Sequence, residues 1–215
     1  MDLAWIVNHL DELGLRTLQH FGLAALGVAA GFVIAFGLSL VAVRFRPTYG
    51  PIVAVSGILY TIPSLAMFAA LVPITGLSLL TAEVPLVLYT LLIFVRNIVA
   101  GFDSVPPDVL EAADAMGYPG GTRLARIEIP LALPLIVAGL RLASVSTIGL
   151  VTISGILGDR FGGLGFFIFE GYRHVFPTEI FAGAVPSVIL ALVVDRVLVG
   201  LGGRLAPWRR ERAPR

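Results

Sequence analysis

The 215 residues include no cysteine, so disulfides, thiolate metal sites and cysteine nucleophiles are all excluded. Lysine is missing too, and all 15 basic residues are arginine. A phosphate-binding loop of the form G-x-x-x-x-G-K-[ST] needs its lysine to reach the phosphates, so the chain does not hydrolyse ATP by that route. Lysine Schiff-base chemistry is excluded for the same reason. The three histidines, His9, His20 and His174, are scattered outside the apolar runs. Neither H-E-x-x-H nor G-x-S-x-G occurs, which argues against an intramembrane enzyme and leaves no catalytic residue, metal site or cofactor to assign. Charge is scarce: 13% of residues, against about 25% in an ordinary soluble domain.

Apolar residues fill the space left by the missing charge. They make up 57% of the chain, and the mean hydropathy is +0.94. A core of this size could not hide so much apolar surface from water, so lipid is the expected solvent. Five stretches approach the roughly 20 residues needed to cross a hydrocarbon layer: 21–43, 51–72 with Pro63 in its middle, 84–101, 131–155, and 179–201 with Pro186 inside it. The run "FGGLGFFIFEG" at 161–171 is too short to cross and is broken by glycines, so it is expected to be re-entrant or interfacial. The fold class expected is an all-α integral membrane protein with five transmembrane helices, a single domain over 21–215.

The first twenty residues lack the basic start and small-residue cleavage site of a signal peptide. Leu3, Ile6, Leu10 and Leu13 recur at helical spacing beside Trp5, which suggests an N-terminal amphipathic interfacial helix over 1–20; a frayed polar tail is the alternative. Arginine asymmetry orients the spans. Arg44, Arg46, Arg123, Arg126, Arg204, Arg209, Arg210, Arg212 and Arg215 fall on one side, and Arg16, Arg160 and Arg173 on the other. The positive-inside rule then puts the N-terminus outside, the C-terminus in the cytoplasm, and 102–130 in a cytoplasmic loop.

Within the spans, Gly27, Gly31, Ala35 and Ser39 recur every four residues and flatten one face of the first helix for close packing. Ser144, Thr147 and Ser154 fall near one face of the fourth. Such hydroxyls either bond within the helix bundle or line a solute pathway, and both readings stand. Arg96, Arg141 and Arg196 lie toward the arginine-rich ends of their spans, where snorkelling explains them; Asp195 is expected to find a partner across a helix. No compact aromatic cluster is evident within any one span.

The loop itself looks built for water. Pro106 and Pro107 suit a first helical turn, Asp108 and Glu111 put negative charge at the positive end of the dipole, and Gly117 suits a left-handed stop. Thr122 is placed to cap a second short helix, and Pro130 lies where the fourth span starts. Val109, Ala113 and Met116 share one side of the first helix; Glu111 and Asp114 share another. A helix this short is marginal alone and needs a docking surface. That surface is either its own membrane domain or a groove in another protein, and the residue pattern fits both.

Glu111, Ala112, Ala113, Gly117, Ile127 and Pro130 keep the spacing E-A-A, three residues, G, nine residues, I-x-x-P. This resembles the EAA motif of binding-protein-dependent ABC importer permeases, where leucine more often stands at the position of Ile129. The stretches "YTIPSLAMFAALVP", "LYTLLIFVRN", "LPLIVAGLRLASVSTIG" and "AGAVPSVILALVVD" resemble the osmoprotectant branch, whose solutes are glycine betaine, choline, carnitine and related compounds. The outer G-x-G-G-L-G stretch of that branch is matched at Gly162, Gly163, Leu164 and Gly165, though not at the residues before them.

The resemblance implies a type I importer permease of the inner membrane, with 102–130 as the coupling loop. Glu111, Ala112, Ala113, Met116, Gly117, Ile127 and Pro130 would meet or transmit the motion of an ATP-binding ABC subunit. The other implied partners are a second permease subunit, identical or related, and a separate extracytoplasmic substrate-binding protein; no nucleic acid is implied. No soluble domain follows Arg215, so the binding protein is expected to be a different polypeptide. The alternatives are a permease for another small solute such as an amino acid derivative, or an ATP-independent secondary transporter. Against the latter stand the lack of an internal repeat and of a midplane carboxylate.

Overall fold

In the computed structural model, residues 1–205 are described and every regular element among them is helical. Arg209, Arg210, Arg212 and Arg215, counted above for orientation, lie outside the described residues. The helices are α1 (Leu3–Asn8), α2 (Leu10–Arg44), α3 (Tyr49–Thr61), α4 (Ser64–Thr75), α5 (Leu79–Asp103), α6 (Pro107–Ala115), α7 (Gly120–Arg123), α8 (Ile129–Ile153), α9 (Gly165–Arg173) and α10 (Pro177–Leu205). Four helical segments, α2, α5, α8 (with α7 and the turns flanking it) and α10, are long and apolar enough to cross a membrane; α3 and α4, bent by 89°, make up to a fifth if the pair counts as one span.

The bend has a local cause. Proline disfavours the helical region for the residue before it and supplies no N–H to the preceding turn. Ile62 and Pro63 are accordingly extended, with ψ of 128° at each, and the helix stops at Thr61 and restarts at Ser64. The N-terminal boundary also differs from expectation. Only α1 is a separate short helix, N-capped by Asp2, whereas residues 10–20 continue directly into the first span. His9 separates the two, and no proline stands between Leu10 and Arg44 to break the helix.

The core forms where α2, α5 and α8 meet. On α2, Gly27, Gly31, Ala35 and Ser39 are all buried. A Cβ on Gly27 would sit 2.8 Å from that of Leu86, and one on Gly31 would overlap the Thr90 side chain, so the flat face of α2 lies directly on α5. Gly139 repeats the arrangement on α8, where a Cβ would come within 2.6 Å of the Asn97 Cβ. Phe94, Val95, Ile98 and Val99 fill the centre. The outward face of α10 carries exposed Val185, Val188, Ile189, Leu192 and Val193, as a lipid-facing helix should.

The short glycine-rich run forms α9, too short to span, packed on α10 and on the end of α8. His20 is fully buried and ties it down. The imidazole Nδ1 accepts from the Leu164 N–H at 3.2 Å, so Nε2 carries the proton and donates to the Ile148 carbonyl at 2.9 Å. Gly163 has φ +50° and lies against His20, and Gly162 and Gly165 lie against backbone carbonyls of Gly158 and Thr152. The glycines are needed for this close approach.

Candidate functional site

At the arginine-rich end, the loop between α5 and α8 forms helix, turn and helix. Pro107 opens α6, and Gly117 ends it with φ +76°. The Tyr118 N–H reaches back to the Ala113 carbonyl at 3.2 Å, the long bond of a Schellman stop. Thr122 does not cap the next helix; it lies inside α7, whose first turn follows Pro119. The chain then widens into π-type turns over Leu124–Glu128 before α8 begins.

The faces of α6 differ in exposure. Ala113 is fully buried against its own protein, while Glu111, Ala112, Met116 and Gly117 are exposed. Met116 is 68% exposed, so it does not share the docked side of Ala113. Ile127 and Pro130 are half-buried where the loop joins α8. One guanidinium holds the elbow together. Arg123 donates from Nε to Glu128 at 2.9 Å and from its terminal nitrogen to Asp114 at 2.7 Å, linking α6, α7 and the start of the fourth span. Arg46 pairs similarly with Asp103, joining the ends of the first and third spans. From sequence, Arg123 and Arg46 stand as orienting charges only. Their carboxylate partners stand at no helical repeat from them and gave no local signal.

Inside the membrane region, the fourth-span hydroxyls part company. Ser154 shares its one hydroxyl proton between the Val151 and Phe161 carbonyls at 2.8 and 2.9 Å, bracing the loop before α9. Ser144 lines an apolar recess between α2, α8 and α10. Thr147 is fully buried, has no hydrogen-bond partner among the described residues, and lies in the wall of a different cavity. That cavity, about 470 Å³, sits at the Ile62–Pro63 bend between α3, α4, α5 and α8. Tyr60 and Tyr89 meet there edge to face, with ring centroids 5.6 Å apart. Tyr60 of the second span and Tyr89 of the third are thus brought together at this cavity. Asp195 does find a partner: Arg141 of α8, at 2.9 Å. Glu83, near the N-terminal end of α5 against Gly27, is buried with both carboxylate oxygens unpartnered among the described residues.

Comparison with known proteins decides the family. Residues 21 to 211 match the family described as "Binding-protein-dependent transport system inner membrane component". The chain belongs to that family.

The permease is 34% identical over 205 residues to the glycine betaine/carnitine/choline transport system permease protein OpuCB of Bacillus subtilis, covering 95% of this chain and 94% of that one. It is 34% identical over 208 residues to the osmoprotectant import permease protein OsmW of Salmonella typhimurium, covering 94% and 96%. It is 36% identical over 204 residues to the choline transport system permease protein OpuBD of Bacillus subtilis, covering 94% and 88%. Its fold is that of a chain of the MetNI methionine ABC transporter, solved in inward-facing conformations: TM-score 0.73 at 20% identity, covering 96% of this chain and 98% of that one. The protein is thus a multi-pass membrane permease subunit of an ABC importer and not an enzyme.

Proposed function

We propose that this permease forms the membrane path of an ATP-driven importer for quaternary ammonium osmoprotectants such as glycine betaine, choline or carnitine. The solute class is supported by the names of relatives that match along nearly the whole chain. The observation that carries the coupling role is helix α6, docked through Ala113 and open along Glu111, Ala112 and Met116. An ATP-binding subunit grips that open face. Closure of the ATPase pair pushes α6, and Arg123 passes the push to Glu128, Ile127, Pro130 and so to α8. A second permease completes the path, and a separate extracytoplasmic protein delivers solute. The N-terminus lies outside, and α6 in the cytoplasm, as arginine distribution favours. Thr147 belongs to the solute path.

The test is gentle purification from native membranes, followed by reconstitution of what comes along into liposomes. A co-purifying P-loop ATPase and ATP-driven uptake of labelled glycine betaine, choline or carnitine are expected. Uptake of a non-quaternary amino acid derivative alone would replace the solute class. Movement of solute by the chain alone, without ATP, would replace the importer reading.

A further inference from the structure

The cavity at the Ile62–Pro63 bend carries more than a route. Its volume of about 470 Å³ falls within the roughly 300–1,000 Å³ of small-molecule sites. Tyr60 and Tyr89 form two sides of a corner, their rings inclined at 63°. Tyr89 donates its hydroxyl to the Ile62 carbonyl, so its ring is fixed against the bend. Among the described residues, no Asp, Glu or Arg lines the cavity. The α3 helix ends here at Thr61, and the last carbonyls of a helix form the negative end of its dipole. Ring faces and helix end therefore both favour a cation, and neither supplies a fixed counter-charge that would hold it for long.

Chemistry narrows the cation. A primary ammonium must replace several strong hydrogen bonds to water, and a tyrosine corner offers few acceptors. A quaternary ammonium has no N–H to satisfy and spreads its charge over methyl groups, which suits aromatic faces. A second, independent observation points the same way to a ligand. The buried Thr147 hydroxyl has no partner among the described residues, and a buried polar atom is costly unless something meets it. A solute with an oxygen at its far end would accept from it.

Resting on the importer reading above, we infer that this cavity is a transient site for the solute inside the membrane. The trimethylammonium head lies against Tyr60 and Tyr89, and the hydroxyl or carboxylate end meets Thr147. Weak binding is the useful feature here, since a passing solute must leave as readily as it arrives.

The experiment uses the reconstituted complex of permease, ATPase and binding protein, with glycine betaine and choline as probes. Tyr60→Phe keeps the ring and should import like the wild type. Tyr60→Leu should lower uptake roughly tenfold while ATPase stimulation by the loaded binding protein persists. Thr147→Val, close in shape, should lower uptake of both solutes without altering assembly. Equal loss in the Phe and Leu variants, or full uptake in both, overturns the ring's role. Should Tyr60→Leu not assemble, Thr147→Val decides: unchanged uptake overturns the site. If the wild-type complex imports no quaternary ammonium compound, the importer's solute class is wrong and this site falls with it. Normal wild-type import that ignores the tyrosine ring refutes the site alone.

Discussion

The seam between α2 and α5 and the bend between α3 and α4 are built from similar apolar and small residues, yet they pack in opposite ways. Along α5, Leu86, Phe94, Val95 and Ile98 are fully buried, and α2 meets them through Gly27, Gly31, Ala35 and Ser39. Along α3, Ser56 alone is buried among the described residues, and along α4 Met67 and Phe68. Both regions contain glycine. The difference is periodicity: a small residue every four positions makes one flat face for a neighbour, while Gly50 and Gly57 stand alone with nothing near them. Pro63 then prevents the second span from presenting any continuous face. A membrane protein can thus keep one rigid seam and one loosely held broken helix in the same small bundle. The broken helix is where the cavity opens.

The same substitution made in both regions is the sharpest way to break this comparison. Gly31→Leu drives a side chain into Thr90 and should cost about 3 kcal/mol, seen as lost monodisperse protein and an early thermal transition in detergent. Gly57→Leu meets open space and should stay within about 0.5 kcal/mol of the parent in the same assay. Equal losses at the two positions would mean that the seam is no tighter than the bend.

The next largest effect is functional. Gly117 holds φ +76°, which a β-branched residue adopts only under about 1–3 kcal/mol of strain. Gly117→Val should therefore move the end of α6 and uncouple the machine, with ATP hydrolysis continuing while uptake falls. Unchanged uptake would remove α6 from the coupling path.

A smaller change is expected from Arg123→Gln, which leaves Asp114 and Glu128 without their shared cation. Uptake per ATP hydrolysed should drop several-fold with little change in thermal transition. Arg173→Gln, which breaks only an exposed pair with Glu170, should leave both unaltered. A modest effect, on stability alone, is expected from Ser154→Ala. It loses hydrogen bonds to the Val151 and Phe161 carbonyls and should cost about 1 kcal/mol of stability, with uptake unchanged. A selective loss of uptake instead would put Ser154 on the solute path beside Thr147.

Much of this could be read in advance where the cause is local. Pro107, Asp108 and Gly117 set the start and end of α6 within one helical turn of themselves, so its limits were legible. Five apolar stretches and the four-residue repeat of small residues rest on hydropathy and helical periodicity, which also need no neighbour. Thr122 misled because a residue suited to capping was already inside a helix begun after Pro119. No helix end falls at residue 20, because a change of polarity along the chain does not by itself break a helix.

By itself, then, the amino-acid sequence determined the solvent, the number of apolar stretches, the place where the second breaks, and the shape of α6. Each follows from transfer free energy or from backbone geometry within a few residues. Only the tertiary structure decided that Tyr60 meets Tyr89, that Arg123 bridges Asp114 and Glu128, that His20 pins Leu164, and that Thr147 rather than Ser154 reaches the cavity. These pairings depend on how helices far apart in the chain come together. Lipid offers no preference for one apolar face over another; shape at the glycine seams makes the choice.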